Sequence, residues 1–201
     1  MEKKYRDSSI KKYLDDLSAK LPAPGGGSAA ALVSTTGVSC LLMVANFTVD
    51  NKGYEQYQKK IKKILSKLST FKLQLSTLVD EDVNVCTTLS SAYKTKDREK
   101  IQNALKNAIS VPCKIFEISL EAIPLAGQLS AIGNKNLISD VACGVSFLRA
   151  GIESAKFNID INLKFVDDAE FVKKTKAKYE KMLKIASGDI EKIIKEAMER
   201  I

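Results

Sequence analysis

Residues 61–94 read IKKILSKLSTFKLQLSTLVDEDVNVCTTLSSAYK. Apolar side chains return at steps of three and four: Ile61, Ile64, Leu68, Phe71, Leu75 and Leu78, then Val85, Leu89 and Ala92. That is the period of an α-helix with one buried stripe. Neither Gly nor Pro occurs from Tyr54 to Lys94, so the stretch is one long helix or two nearly collinear ones. Lys59, Lys60, Lys62, Lys63 and Lys67 fall largely between the apolar positions. The ridge breaks once, at position 82, where an apolar residue is due and Asp82 stands. This carboxylate points inward. A buried carboxylate is costly, so Asp82 is either a satisfied structural group bonded to a neighbouring helix or part of a site.

The same period runs through the rest of the chain, and alternation long enough for a strand is absent. The class is therefore all-α. A first helix is expected after Asp7 or Ser8, ending near Leu21 ahead of Pro22 and Pro24. Ser28 is a good N-cap for a second, running to about Asn51 and closed by Gly53. Asp97 caps a fourth, in which Pro112 and Pro124 predict kinks or a break. The turn GNKN at 133–136 leads into a helix from about Leu137 to Val166. Asp167 and Asp168 open a last amphipathic segment, with an interruption expected at Gly188. The expectation is one domain over residues 1–201, an up-and-down antiparallel bundle of five to six long helices.

From Pro22 to Val49 no side chain is ionised, a run long enough to span a bilayer. Its content is Ser, Thr, Gly, Ala and Asn46 rather than Leu and Phe, which suits a central helix packed closely by others. Too few helices exist to cover it on all sides, so a homodimer is expected and no membrane partner. A net charge of +8 with no nucleic-acid reading module argues for lysines on a solvated face or for attraction of a small polyanion, not for nucleic acid. The chain has no His, which excludes His-ligated metals and His-dependent nucleophile systems. Cys40, Cys86, Cys113 and Cys143 form no CxxC pair and read as buried, reduced thiols; MEKKYRDSSI has no apolar leader core, and a cytoplasmic location is expected.

Two further features carry possible chemistry. The loop PGGGS, Pro24 to Ser28, lacks the lysine of a phosphate-binding loop and the preceding strand of a dinucleotide fingerprint. It nonetheless offers unobstructed N–H groups at a helix start. Asp140 and Asn158 stand 18 residues apart, five helical turns, and so share a face with Gly144, Gly151, Ser154 and nearly Asn162. That face either permits close helix packing or floors a groove edged by an acid and two amides.

Five segments in this order, PAPGGGSAAAL, MVANFT, Asp82 followed by AYK, GNKNLISD and NIDINL, resemble the folate-dependent cyclodeaminase and cyclohydrolase family over about residues 8 to 170. The resemblance implies an all-helical dimer that binds a tetrahydrofolate carrying a one-carbon unit, sometimes polyglutamylated, with no metal and no other cofactor. It implies either formimidoyltetrahydrofolate cyclodeaminase activity, with substrate delivered by another protein, or methenyltetrahydrofolate cyclohydrolase activity. A non-catalytic helical scaffold is the remaining reading. The shared positions are Gly25, Gly26, Gly27, Ser28, Asn46, Asp82, Gly133, Asn134, Ser139, Asp140, Asn158 and Asn162. On this resemblance Asp82 and Asp140 flank the reacting carbon in one cleft and move protons. Asn134, Asn158 and Asn162 meet the pterin amide edge, and the glycine loop takes the glutamate carboxylate or the pterin carbonyl. Cys86 departs from the pattern, because relatives often have Phe there.

Overall fold

The computed structural model describes residues 4–201; residues 1–3, the start of the segment read for a leader, lie outside them. It contains six α-helices and, among the described residues, no strand: α1 Ile10–Ser18, α2 Gly26–Thr48, α3 Gln58–Thr95, α4 Arg98–Ile132, α5 Ile138–Leu163 and α6 Ala169–Met198. The quoted ridge lies in α3, a single helix. Ile61, Ile64, Leu68, Leu75, Leu78 and Asp82 are all buried along it. α2 packs against α5 and α3; α4 lies across α3 and α5, and α6 closes against α5 and α4. Short turns make sequential helices antiparallel, as expected of an up-and-down bundle.

Several boundaries differ from expectation. α1 ends at Ser18 because the chain is already extended at Ala19, before the prolines; its cap is Ser9, which accepts from the Lys12 amide. α2 starts at Gly26 with Gly25 as cap, so Ser28 lies inside the first turn. It stops at Thr48, where Asp50 takes a left-handed backbone (φ 53°), rather than at Asn51. Asp97 and Asp168 do cap α4 and α6, accepting from the Lys100 and Phe171 amides. Neither Pro112 and Pro124 in α4 nor Gly188 in α6 breaks its helix. Burial of the flanking apolar turns outweighs the lost local bonds. The cysteines were expected to be buried; Cys40, Cys86 and Cys113 are half-buried and Cys143 is exposed, because each sits at the margin of its helix's apolar stripe.

Small residues set the α2–α5 spacing. A Cβ on Gly37 would stand 2.8 Å from the Gly144 carbonyl oxygen, and one on Gly151 would stand 1.9 Å from Ser34 Oγ. Ser34 is itself held by Ser119 of α4, whose hydroxyl donates to it at 2.8 Å. Three helices therefore meet with almost no side chain between them. Both α2 and α4 are long and apolar enough to cross a membrane, and about half of each apolar window, 56% and 50%, is covered by other helices. The uncovered side of α2 carries no charge.

Candidate active site

Asp82 meets the glycine loop. Its side chain leaves the middle of α3 inward, is 6% exposed, and ends at the first turn of α2. There Oδ2 accepts from the Ser28 amide at 2.8 Å. A helix start normally caps its free N–H groups with its own Ser or Asp; here a carboxylate from another helix does so. Gly27 is the reason it fits, since a Cβ there would lie 2.1 Å from Asp82 Oδ1. Ser28 no longer caps its own helix, and its hydroxyl donates to the Val79 carbonyl at 2.9 Å while accepting from Tyr13 Oη at 3.2 Å.

The electrostatics follow from enclosure. Burial pushes the Asp82 carboxyl above its ordinary value, and the Ser28 amide pulls against that shift. Cys86, one turn on, lies with Sγ 4.0 Å from Asp82 Oδ2; burial, and then the Asp82 charge, pushes its thiol up to about 11. Tyr13 is raised mainly by burial, opposed by its bond to Ser28. Asp82 is thus a carboxyl that takes up a proton readily, set beside a helix N-terminus.

Asn158 of α5 completes this end. A Cβ on Gly26 would lie 3.4 Å from its Nδ2. Asn158 Nδ2 donates to the Ser154 carbonyl and Asn162 Nδ2 to the Asn158 carbonyl, each at 2.8 Å. Both amide oxygens remain available to a donor. Gly25, Gly26, Gly27, Ser28, Asp82, Asn158 and, one turn on, Asn162 therefore gather at one end of the α2/α5 pair.

The other sequence candidates gather at the opposite end. Asn134 accepts from the Asn136 amide, its own amide donates to Thr48 Oγ1 at 2.8 Å, and its Nδ2 donates to the Phe47 carbonyl. Asn46 is exposed on the last turn of α2, and Ser139 is exposed on the first turn of α5. Gly133 packs against Val44. Asp140 is half-buried near Cys40, whose thiol is raised first by burial, then by Cys143 and Asp140. Asp140 and Asn158 do share a face of α5, but 18 residues at 1.5 Å place them about 27 Å apart. Within one chain the structure does not bring Asp140 to Asp82. The candidates that the sequence places in one cleft thus fall, within a single chain, into two groups at the two ends of one helix pair.

Tyr13 is the residue at this site that sequence reasoning did not single out. It is the one buried member of α1, and only its position in an amphipathic turn marked it. Among the described residues no three His, Cys, Asp or Glu side chains form a metal-sized cluster.

Comparison with known proteins gives the family and the fold. The family model described as formiminotransferase-cyclodeaminase matches residues 9–181. A methenyltetrahydrofolate cyclohydrolase of Methylorubrum extorquens is 33% identical over 196 residues, covering 93% of this chain and 94% of that protein. A formimidoyltransferase-cyclodeaminase of Rattus norvegicus is 28% identical over 92% of this chain, which spans 36% of the rat protein. The crystal structure of formiminotetrahydrofolate cyclodeaminase from Thermotoga maritima superposes with a TM-score of 0.85 at 30% identity, over 96% of this chain and 95% of that one.

Proposed function

The chain belongs to the formiminotransferase-cyclodeaminase family, and from that premise we propose that it closes a one-carbon bridge on tetrahydrofolate, converting the 5-formimidoyl to the 5,10-methenyl form with release of ammonia. It is a folate one-carbon enzyme of the cyclodeaminase and cyclohydrolase kind. The observation that carries the reading is Asp82: a buried carboxyl with raised proton affinity, held at a side-chain-free helix start.

The proton balance suits such a group. N10 attacks the formimidoyl carbon on N5, and the N10 proton ends on the former imine nitrogen. A second proton, from neutral Asp82, lets that nitrogen leave as ammonia. The product carries one delocalised positive charge and Asp82 becomes the carboxylate beside it. The carbon keeps its oxidation level, so the step needs no redox cofactor, and we assign it no metal.

Asn158 and Asn162 offer acceptors to the amino edge of the pterin. The free amides of Gly26 and Gly27 suit its carbonyl or the glutamate carboxylate. Lysines on the solvent faces attract a polyglutamate tail, and the working form is a cytoplasmic homodimer.

A second reading rests on the full-length similarity to a cyclohydrolase. In that direction water adds to the methenyl carbon, an Asp82 carboxylate takes its proton, and the ring opens to 10-formyltetrahydrofolate. One assay separates the two: the near-ultraviolet band of methenyltetrahydrofolate, followed with purified protein. Its appearance from the formimidoyl substrate with ammonia release supports cyclodeamination. Loss faster than in buffer alone supports cyclohydrolysis, and no effect in either direction refutes both.

A further inference from the structure

We infer that Tyr13 is a positioning residue of the active site: through the Ser28 hydroxyl it fixes the first turn of α2 against α3, and so holds the Ser28 amide on Asp82. The inference rests on the reading that Asp82 carries the proton in catalysis. Tyr13 bonds to Ser28 and not to the carboxylate, so it acts at one remove.

The direction of each bond is fixed. The Val79 carbonyl can only accept, so the single proton of the Ser28 hydroxyl goes there, at 2.9 Å. Tyr13 Oη is then the donor to Ser28 Oγ, at 3.2 Å. Ser28 is fully buried and Tyr13 is 4% exposed, so water does not replace either partner. Ser28 is thus bonded on three sides. Its amide and its hydroxyl tie the turn to α3, and the third bond comes from the one buried side chain of α1.

Directed contacts, rather than packing alone, locate the Tyr13 ring. A cavity of about 210 Å³ borders it, walled also by Tyr5, Arg6, Leu32, Thr35 and Val79. On that side no close-packed neighbour holds the ring in place. Tyr5 meets it edge to face, with ring centroids 5.5 Å apart. Tyr5 is itself pinned: its amide donates to Asp80 Oδ1 of α3 at 2.6 Å, and its hydroxyl donates to Asp16 Oδ2 of α1 at 2.8 Å. Residues 5–16 therefore form a strap fastened to α3 at Asp80 and to α2 at Ser28.

Removing the Tyr13 hydroxyl leaves a buried lone pair of Ser28 Oγ unmet and frees the turn to shift. The Ser28 amide is the bond that draws Asp82 toward its carboxylate form against the effect of burial. A looser amide therefore raises the proton affinity of Asp82 further. The titratable groups that face Asp82 are Tyr13 from α1 and Cys86 from α3 itself, and both are pushed up, so they stay neutral where a carboxyl titrates. α2 has no ionisable residue, α5 presents Asn158 at this turn, and Lys114 of α4 is engaged by Glu81. A displaced Asp82 titration thus reports the Ser28 amide.

Tyr13→Phe is the test, because it removes the hydroxyl and keeps the ring. It is expected to lower kcat about ten-fold while KM stays within about two-fold. The limb of the pH–rate profile set by Asp82 moves to higher pH, whichever folate reaction is followed. Ser28→Ala cuts the same link from the other side and moves that limb in the same direction; the double variant moves it no further than the larger single change. Tyr5→Phe keeps the ring edge and the bond to Asp80, and leaves rate and limb unchanged. Titration of the aspartate side-chain carboxyls by carbon-13 NMR gives a readout free of catalysis, the Asp82 signal being the one missing from Asp82→Asn. In Tyr13→Phe and in Ser28→Ala that signal titrates at higher pH than in wild type. A lowered rate with an unmoved Asp82 signal makes Tyr13 a packing residue and overturns the proposal, as do shifts that simply add in the double variant. A displaced signal in a protein whose wild type acts on neither folate keeps the link from Tyr13 to Asp82 and rejects the folate reading instead.

Discussion

Alanine substitution along the glycine loop, one residue at a time, separates a loop that merely turns from one that seats a carboxylate. At Gly27 the new Cβ would lie 2.1 Å from Asp82 Oδ1, 2.7 Å from Cγ and 2.9 Å from Oδ2. Asp82 must swing away, and its bond from the Ser28 amide, 2.8 Å, breaks. Losing a hydrogen bond to a charged group costs about 1.5–3 kcal/mol. Alanine returns up to ~1 kcal/mol through its helix propensity, leaving a net loss of about 1–2 kcal/mol. Catalysis suffers more, since a carboxylate displaced by about 1 Å costs on the order of 100-fold in rate.

At Gly26 the nearest atom is Asn158 Nδ2 at 3.4 Å, an ordinary contact, and Gly25 has nothing within 4 Å. Gly25→Ala gives up only some N-cap preference, under about 1 kcal/mol, and both variants should keep activity within about five-fold. Urea unfolding followed by circular dichroism reads the first quantity, and initial rates of the methenyl band read the second. A fully active Gly27→Ala protein, or a Gly25→Ala protein damaged as badly as Gly27→Ala, would show that the loop does not position Asp82.

Three further outcomes follow from the same geometry. Burial raises the Asp82 carboxyl, so the folded state holds this proton more tightly than the unfolded chain; the stability it contributes is full below the ordinary carboxylate range and is lost as pH rises through the raised value. Asp82→Asn escapes that loss while its Oδ1 still accepts from Ser28, so its stability relative to wild type should climb as pH rises above the ordinary carboxylate range, about pH 4; urea titrations showing a flat or falling difference contradict this. Gly151→Ala drives a Cβ to 1.9 Å from Ser34 Oγ and should cost about 2–3 kcal/mol. Adding Ser34→Ala should recover part of it, and a purely additive double mutant rules out the contact. Finally, the KM for a polyglutamylated folate should rise with salt more steeply than that for the monoglutamate, because the lysines act through screened, long-range attraction; parallel salt dependences would leave them a solubility role alone.

Asp82 was legible before any coordinates because a single polar residue in an apolar ridge can only point one way. Its bond to Ser28 was not. Serine ahead of an apolar run reads as a cap for its own helix, and only the arrival of α3 at that turn gives the task to a carboxylate 54 residues away. Gly27 is similar: three glycines announce an unobstructed backbone, but not that the obstruction avoided is the side chain of Asp82. Tyr13 left no mark beyond amphipathicity, since its role depends on where α1 folds back. The prolines of α4 misled in the other direction, because their local cost is small against the burial of a 35-residue helix on several neighbours.

Periodicity is a local property, so the sequence by itself determined that the chain is helical throughout, which face of each helix is buried, and that Asp140 and Asn158 lie on one face of α5. Which helix ends meet is a property of packing, and only the tertiary structure decided it. The same 18-residue spacing that aligns Asp140 with Asn158 also holds them about 27 Å apart. A helix transmits direction without closing distance.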